Sequence, residues 1–219
     1  MKPAARWMAL PGLVAGPWFA FWLGYLAAPL PNFRHSRHPP ALLGAIGYPG
    51  ATAWNVLGFI VTGVLAAMAT QMLYRSLRRA GAGATARIGA TVMLLSALAF
   101  AMQGVFPLDI DQPMDEGPSR IHITVWNLWW MAAAAGALLV GIGVRSLPRW
   151  RSLLPVGVLV AAGMAAVLMA PDIGAIGVGW RQRIALAMWF GWLAWSTWLS
   201  DGKQAADSNS ALNPGARAG

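Results

Sequence analysis

The chain has 219 residues, 58% of them hydrophobic and 11% charged, with a net charge of +9 and no cysteine. A soluble domain averages about 25% charged residues, and a mean hydropathy of +0.54 points instead to a helical membrane protein. The apolar runs are continuous rather than alternating, which excludes a transmembrane barrel, and the missing cysteines exclude disulfides and thiolate metal sites. A nucleic-acid surface is not expected either, because the bases lie in short loops beside apolar spans, where membrane topology explains them.

Lys2 and Arg6 precede an apolar run from Trp7 to Leu30. A cleaved signal peptide is the competing reading. The length of the run, interrupted by Pro11 and Pro17, favours a span. Gly12, Gly16, Ala20, Gly24 and Ala28 recur every fourth residue. Such a ridge lets another helix approach closely, inside the monomer or across a homodimer.

The next segment, 31–52, reads as a solvated loop holding Arg34, His35, Arg37 and His38. His35-x-x-His38 has metal-chelating spacing, but no helix is predicted to orient it. Helix 2 follows with Asn55 in its first turn, where it can cap the helix or bond a neighbour. Arg75, Arg78, Arg79 and Arg87 bracket a Gly/Ala turn before helix 3, which carries Ser96 and Gln103. Beyond it lies Phe106-Pro107-Leu108-Asp109-Ile110-Asp111, and four of the seven acidic residues (Asp109, Asp111, Asp115, Glu116) fall in this loop. Helix 4 opens with Ser119, Arg120 and His122, then Trp126, Asn127, Trp129 and Trp130. Arg145, Arg149 and Arg151 lead to helix 5, and Pro171-Asp172 leads through glycines to Arg181 and Arg183 before helix 6.

The predicted fold is therefore all-α: one domain, 1–200, of six transmembrane helices over about 7–30, 53–74, 88–105, 119–144, 153–170 and 184–200. A disordered cytoplasmic tail is expected over 201–219. With the N-terminus inside, the inner segments hold Lys2, Arg6, Arg75, Arg78, Arg79, Arg87, Arg145, Arg149, Arg151, Lys203 and Arg217, which is 11 of the 16 bases. The positive-inside rule then places both termini in the cytoplasm of a bacterial inner membrane and the acidic loop outside.

No ionisable residue falls in the middle of a predicted span, which argues against a proton-coupled transporter. The polar residues gather at one level instead: Asn55, Gln103, Asp109, Asp111, His122, Asn127, Arg181 and Arg183. His122, Trp126, Trp129 and Trp130 share one helix face. An imidazole above a tryptophan wall, with carboxylates nearby, could bind a lipid headgroup through Asn55, Gln103, Trp126, Asn127, Trp130, Arg181 and Arg183. Asp109, Asp111 and His122 could equally ligate a divalent metal or act as catalytic groups. A third reading is a polar lid in which the aspartates cap loop amides. Trp189, Trp192, Trp195 and Trp198 step by three, so each turns roughly 60° back around helix 6. They are expected to spiral between helix and lipid contacts.

Trp54-Asn55 with Gly58 and Gly63, Phe106-Pro107-x-Asp109 followed by His122, and Gly179-x-x-x-Arg183-Ile184 together resemble the DUF998 family of small integral membrane proteins. The resemblance covers helices 2 to 6 and implies no assigned biochemical role. Family members often carry an acidic residue where this chain has Gln182. The layout is more remotely similar to the FRAG1/DRAM type of six-helix proteins, some of which serve lipid remodelling. The function expected is binding of a lipid or amphiphile at the outer face, or service as an accessory subunit of a membrane complex. The rival is a lipid-modifying, metal-dependent enzyme using Asp109, Asp111 and His122. Under either, the partners are membrane lipids, and the only cofactors the residues suggest are a divalent metal or a bound lipid.

Overall fold

A computed structural model of the chain describes residues 10–169 and 176–212, with side chains described as far as residue 200. Among these residues all regular structure is helical. The helices are α1 (Leu10–Ala27), α2 (Ala51–Arg79), α3 (Ala84–Met102), α4 (Gly117–Val144), α5 (Leu153–Met169) and α6 (Val178–Leu212). By length and composition α1 to α4 can each cross a membrane, while α5 is apolar but has 17 residues. The chain is thus a multi-pass helical membrane protein. Lys2 and Arg6, the Pro171-Asp172 dipeptide and residues 213–219 lie outside the described residues. Helix α6 runs on to Leu212, through part of the stretch expected to be a disordered tail.

Without a water-driven hydrophobic force between them, membrane helices associate by close packing, so small residues mark their seams. Gly89 and Gly136 join α3 to α4: a Cβ at Gly89 would stand 2.5 Å from the Val140 nitrogen, and one at Gly136 2.9 Å from that of Met93. Gly157 does the same between α5 and α4, where a Cβ would meet the Ala137 carbonyl at 2.5 Å. Ala86, Ala90, Ala133 and Ala137 complete the seam and are buried. Ser96 ties it with a 2.9 Å hydrogen bond to the Trp129 carbonyl.

The ridge on α1 divides. Gly12 lies against Thr197 and Gly16 against Phe190 of α6, but Gly24 has nothing within 4 Å. Ala20, Gly24 and Ala28 are exposed. The stripe that α1 buries is Ala15, Phe19, Leu23 and Ala27, and the ridge runs one residue out of step with it, so only its first member, Gly12, is itself buried. On α6 the three-residue step spirals the tryptophans around the helix as expected. Trp189 and Trp192 are buried, while Trp195 and Trp198 are 41% and 64% exposed.

Phe100 of α3 is the centre of an aromatic core, with ring centroids 5.3 Å from Phe59, 5.6 Å from Trp129 and 5.0 Å from Trp189. Above it α2 departs from α-helical geometry: Trp54–Val61 is a π-helix. Trp54 is buried and its indole fills the space over Gly58, where a Cβ would sit 2.7 Å from the ring. The Trp18 indole N–H donates to the Leu57 carbonyl at 2.9 Å, tying α1 to this segment. Long π segments are rare and recur at functional sites, and this one contains Asn55.

Candidate functional site

The segment between α1 and α2 folds over one end of the bundle. Its short 3-10 turn, Pro40–Gly44, rests on α2, where Asn55 Nδ2 donates to the Gly44 carbonyl at 2.9 Å. The Ile46 N–H donates to the Leu108 carbonyl at 2.8 Å, reaching the acidic loop. At its other side the segment docks on the start of α6. Arg183 donates to the His38 carbonyl at 3.0 Å, to the Gly179 carbonyl at 2.8 Å and to His35 Nδ1 at 3.0 Å. Gly177 and Gly179 let the Ser36, His35 and His38 backbone come so near that a Cβ at either position would collide with it. Phe33 fills the space beneath, its ring 5.3 Å from His35 and 5.5 Å from His38, with the Arg183 guanidinium 6.0 Å away. The expected solvated loop is therefore anchored, although His35 itself remains exposed. Its contact with Arg183 spans 148 residues. Desolvation, and secondarily the Arg183 charge, hold the His35 imidazole below its ordinary range.

Under this cover lie polar groups without partners. Gln103, at the C-terminal end of α3, is 0% exposed. Neither of its amide atoms has a hydrogen-bond partner, and the same holds for Asn55 Oδ1 and Trp54 Nε1. Asn55 and Trp54 are adjacent, and the backbone next to Gln103 meets Asn55. Gly44 faces both Asn55 Oδ1 and Trp54 Cδ1, and Gly104 faces the Asn55 carbonyl and the Phe59 side chain. His122, 4% exposed, closes the group from α4, with its ring 6.1 Å from Phe59. A carbonyl only accepts, so the 2.8 Å contact between His122 Nδ1 and the Phe106 carbonyl puts a proton on Nδ1.

The acidic loop is organised around Ser119 in the first turn of α4. The Asp109 N–H donates to Ser119 Oγ at 3.0 Å, and that hydroxyl donates to the Asp109 carbonyl at 2.7 Å. The Asp109 carboxylate accepts the Asp111 N–H at 3.1 Å. It thus caps its own loop, and the partner of His122 is the Phe106 carbonyl rather than either aspartate. Asp111, Asp115 and Glu116 are exposed. Among the described residues no three His, Asp or Glu side chains are grouped to hold a metal ion.

Arg181 donates to the Val167 and Leu168 carbonyls at 2.7 and 3.3 Å, capping α5. Asn127 is exposed and accepts the Trp130 indole N–H at 3.0 Å, so this pair lies on an outer flank of α4. Trp126 packs on buried Trp129 at 4.7 Å.

Of the residues singled out from sequence, the fold therefore brings Asn55, Gln103 and His122 together. It gives Arg183 to the loop, Arg181 to α5 and Asn127 with Trp130 to the flank. Trp54, Gly44, Ser119 and the Phe106 carbonyl also belong to the site. The Phe-Pro-x-Asp…His and Gly-x-x-x-Arg patterns are the outward signal of the last two contacts and of the docked loop. No curated protein and no solved structure matches the chain. Residues 13–199 match the model of DUF998, described as a protein of unknown function, and the chain therefore belongs to the DUF998 family.

Proposed function

We propose that the protein spans the bacterial inner membrane six times, with both termini cytoplasmic, and binds the polar head of a lipid or amphiphile at its outer face. The head would enter between the π segment of α2, the end of α3 and the start of α4. One observation carries this reading: Gln103 is fully buried with both amide atoms unpartnered, beside unpartnered Asn55 Oδ1 and Trp54 Nε1. An unsatisfied buried polar group costs about 1–3 kcal/mol, and such clusters persist where something else completes them. The donors and acceptors are neutral. A head carrying both a hydroxyl or amide donor and a carbonyl acceptor suits them better than a bare phosphate, which would need a paired cation once buried.

Lipid analysis by native mass spectrometry of the purified protein tests this. The wild type should carry a bound amphiphile that Gln103→Leu loses. Identical lipid content in the two proteins would sink it. For the orientation, an alkaline phosphatase fused after Gly117 should be active and one fused after Gly83 inactive; the reverse would place the site in the cytoplasm.

A second reading, an accessory subunit or homodimer, is favoured by exposed Ala20, Gly24 and Ala28 beside exposed Phe21 and Tyr25 on α1. The lipid-modifying alternative needs Asp109 or Asp111 to turn toward His122. The Asp109 hydrogen bond to the Asp111 amide favours binding over that chemistry.

A further inference from the structure

We infer that residues 31–50 form a lid over the polar site that acid releases, with His35, held by Arg183, as its proton-sensitive fastener. The inference rests on the ligand-site reading for what the lid covers, but the opening itself depends only on contacts within the chain.

Both imidazoles act as acceptors when the lid is docked. His35 Nδ1 faces a guanidinium N–H of Arg183 at 3.0 Å, and His38 Nδ1 faces the Arg34 backbone N–H at 3.0 Å. Guanidinium and backbone N–H groups can only donate. The docked His35 ring must therefore be neutral, with its proton on Nε2. Adding a proton to Nδ1 turns the acceptor into a donor and abolishes that hydrogen bond. At His35 it also sets a cation against Arg183.

The consequence is large because these bonds sit where the lid is held. The Arg183 guanidinium that faces His35 also holds the His38 carbonyl, and the two rings flank Phe33 from the same turn. Among the described residues, the charged groups on the lid and at the start of α6 are basic: Arg34 and Arg37 on the lid, and Arg181 and Arg183 on α6. Asp109 and the rest of the acidic loop meet the lid through the Ile46–Leu108 backbone bond. Among the described residues no carboxylate is paired with either imidazole.

The direction follows by linkage. In the open lid the His35 ring is solvated and has the ordinary imidazole pKa, near 6.5. In the closed lid burial and Arg183 lower His35 below that value. The closed state binds fewer protons, so closure is complete above about pH 6.5 and is lost as the pH falls below it. Each pKa unit between the open and closed states shifts the lid equilibrium tenfold.

Hydrogen–deuterium exchange on the full-length protein in detergent, corrected for the intrinsic pH effect, reads the lid directly. The amides of residues 34–38 and of Ile46 should exchange faster at pH 5 than at pH 7.5. His35→Asn with His38→Asn places an amide oxygen where each Nδ1 stood and leaves no imidazole in the lid. That double variant should stay protected at both pH values, while Arg183→Gln should lose protection at both. Amides of α3 and α4 should remain protected throughout, which separates lid opening from unfolding. Lid exchange in the wild type that does not change with pH, or an acid response that persists in the double variant, would overturn the proposal. Lipid content, measured separately, bears on the site and not on the lid.

Discussion

The seam between α3, α4 and α5 and the lid-covered end of the same helices are built by opposite means. Along the seam, glycine and alanine bring backbones into contact, and the one buried hydroxyl, Ser96, donates to a carbonyl. At the covered end, where bulky Trp54, Phe59 and His122 are buried, the Gln103 amide bonds to nothing. The same short stretch of α3 serves both, from Gly89 to Gln103. Among the described residues the seam leaves one buried group unpaired, the Trp129 indole N–H, while the covered end gathers four such atoms on Gln103, Asn55 and Trp54. A buried end with unpaired dipoles is incomplete as a folded structure, and incompleteness of that kind is what a ligand would relieve.

The comparison breaks most sharply at the seam. Gly89→Val would drive a branched side chain against the Val140 backbone 2.5 Å from the Cβ position. Overpacking of this type costs about 1–3 kcal/mol, and more where backbone must move. Thermal unfolding in detergent should show the loss, and a variant as stable as the wild type would mean that the two helices are not in backbone contact. At the covered end the strongest structural tie is Ser119. Ser119→Ala removes both of its bonds to Asp109 and should cost about 1–2 kcal/mol. It should also free the Asp109 and Asp111 amides to exchange while leaving α3 and α4 protected. If those amides stay protected, the loop is held by something other than the serine.

How much of this was legible in the sequence depends on the range of the contacts. Helix positions follow from local hydrophobicity, and the spacing of the helix 6 tryptophans foretells that they divide between inward and outward faces but not which go where; Trp189 is buried and Trp198 exposed. The convergence of Asn55, Gln103 and His122 at one end also follows from where each sits in its helix. The docked lid does not, because Arg183 and His38 are 145 residues apart and no local pattern joins them. Reading His35 and His38 as solvated missed that their nitrogens accept hydrogen bonds. The glycine ridge of α1 misled in a different way: it runs one residue out of step with the buried stripe of Ala15, Phe19, Leu23 and Ala27, so it begins at α6 and ends facing outward. The π segment had no signal, since Trp54-Asn55 and Gly58 read equally well as ordinary helix.

The smallest expected effect is also the most informative. Gln103→Leu nearly conserves volume and removes the unpaired amide, so in lipid-free detergent it should be as stable as the wild type or more so, by about 1–3 kcal/mol at most. Adding membrane lipid should then raise the melting temperature of the wild type and leave the variant behind. That reversal of order is what a ligand completing the Gln103 amide predicts. If lipid raises both proteins equally, or if the variant is the less stable one before any lipid is added, the buried amide belongs to the fold alone and the site has no occupant.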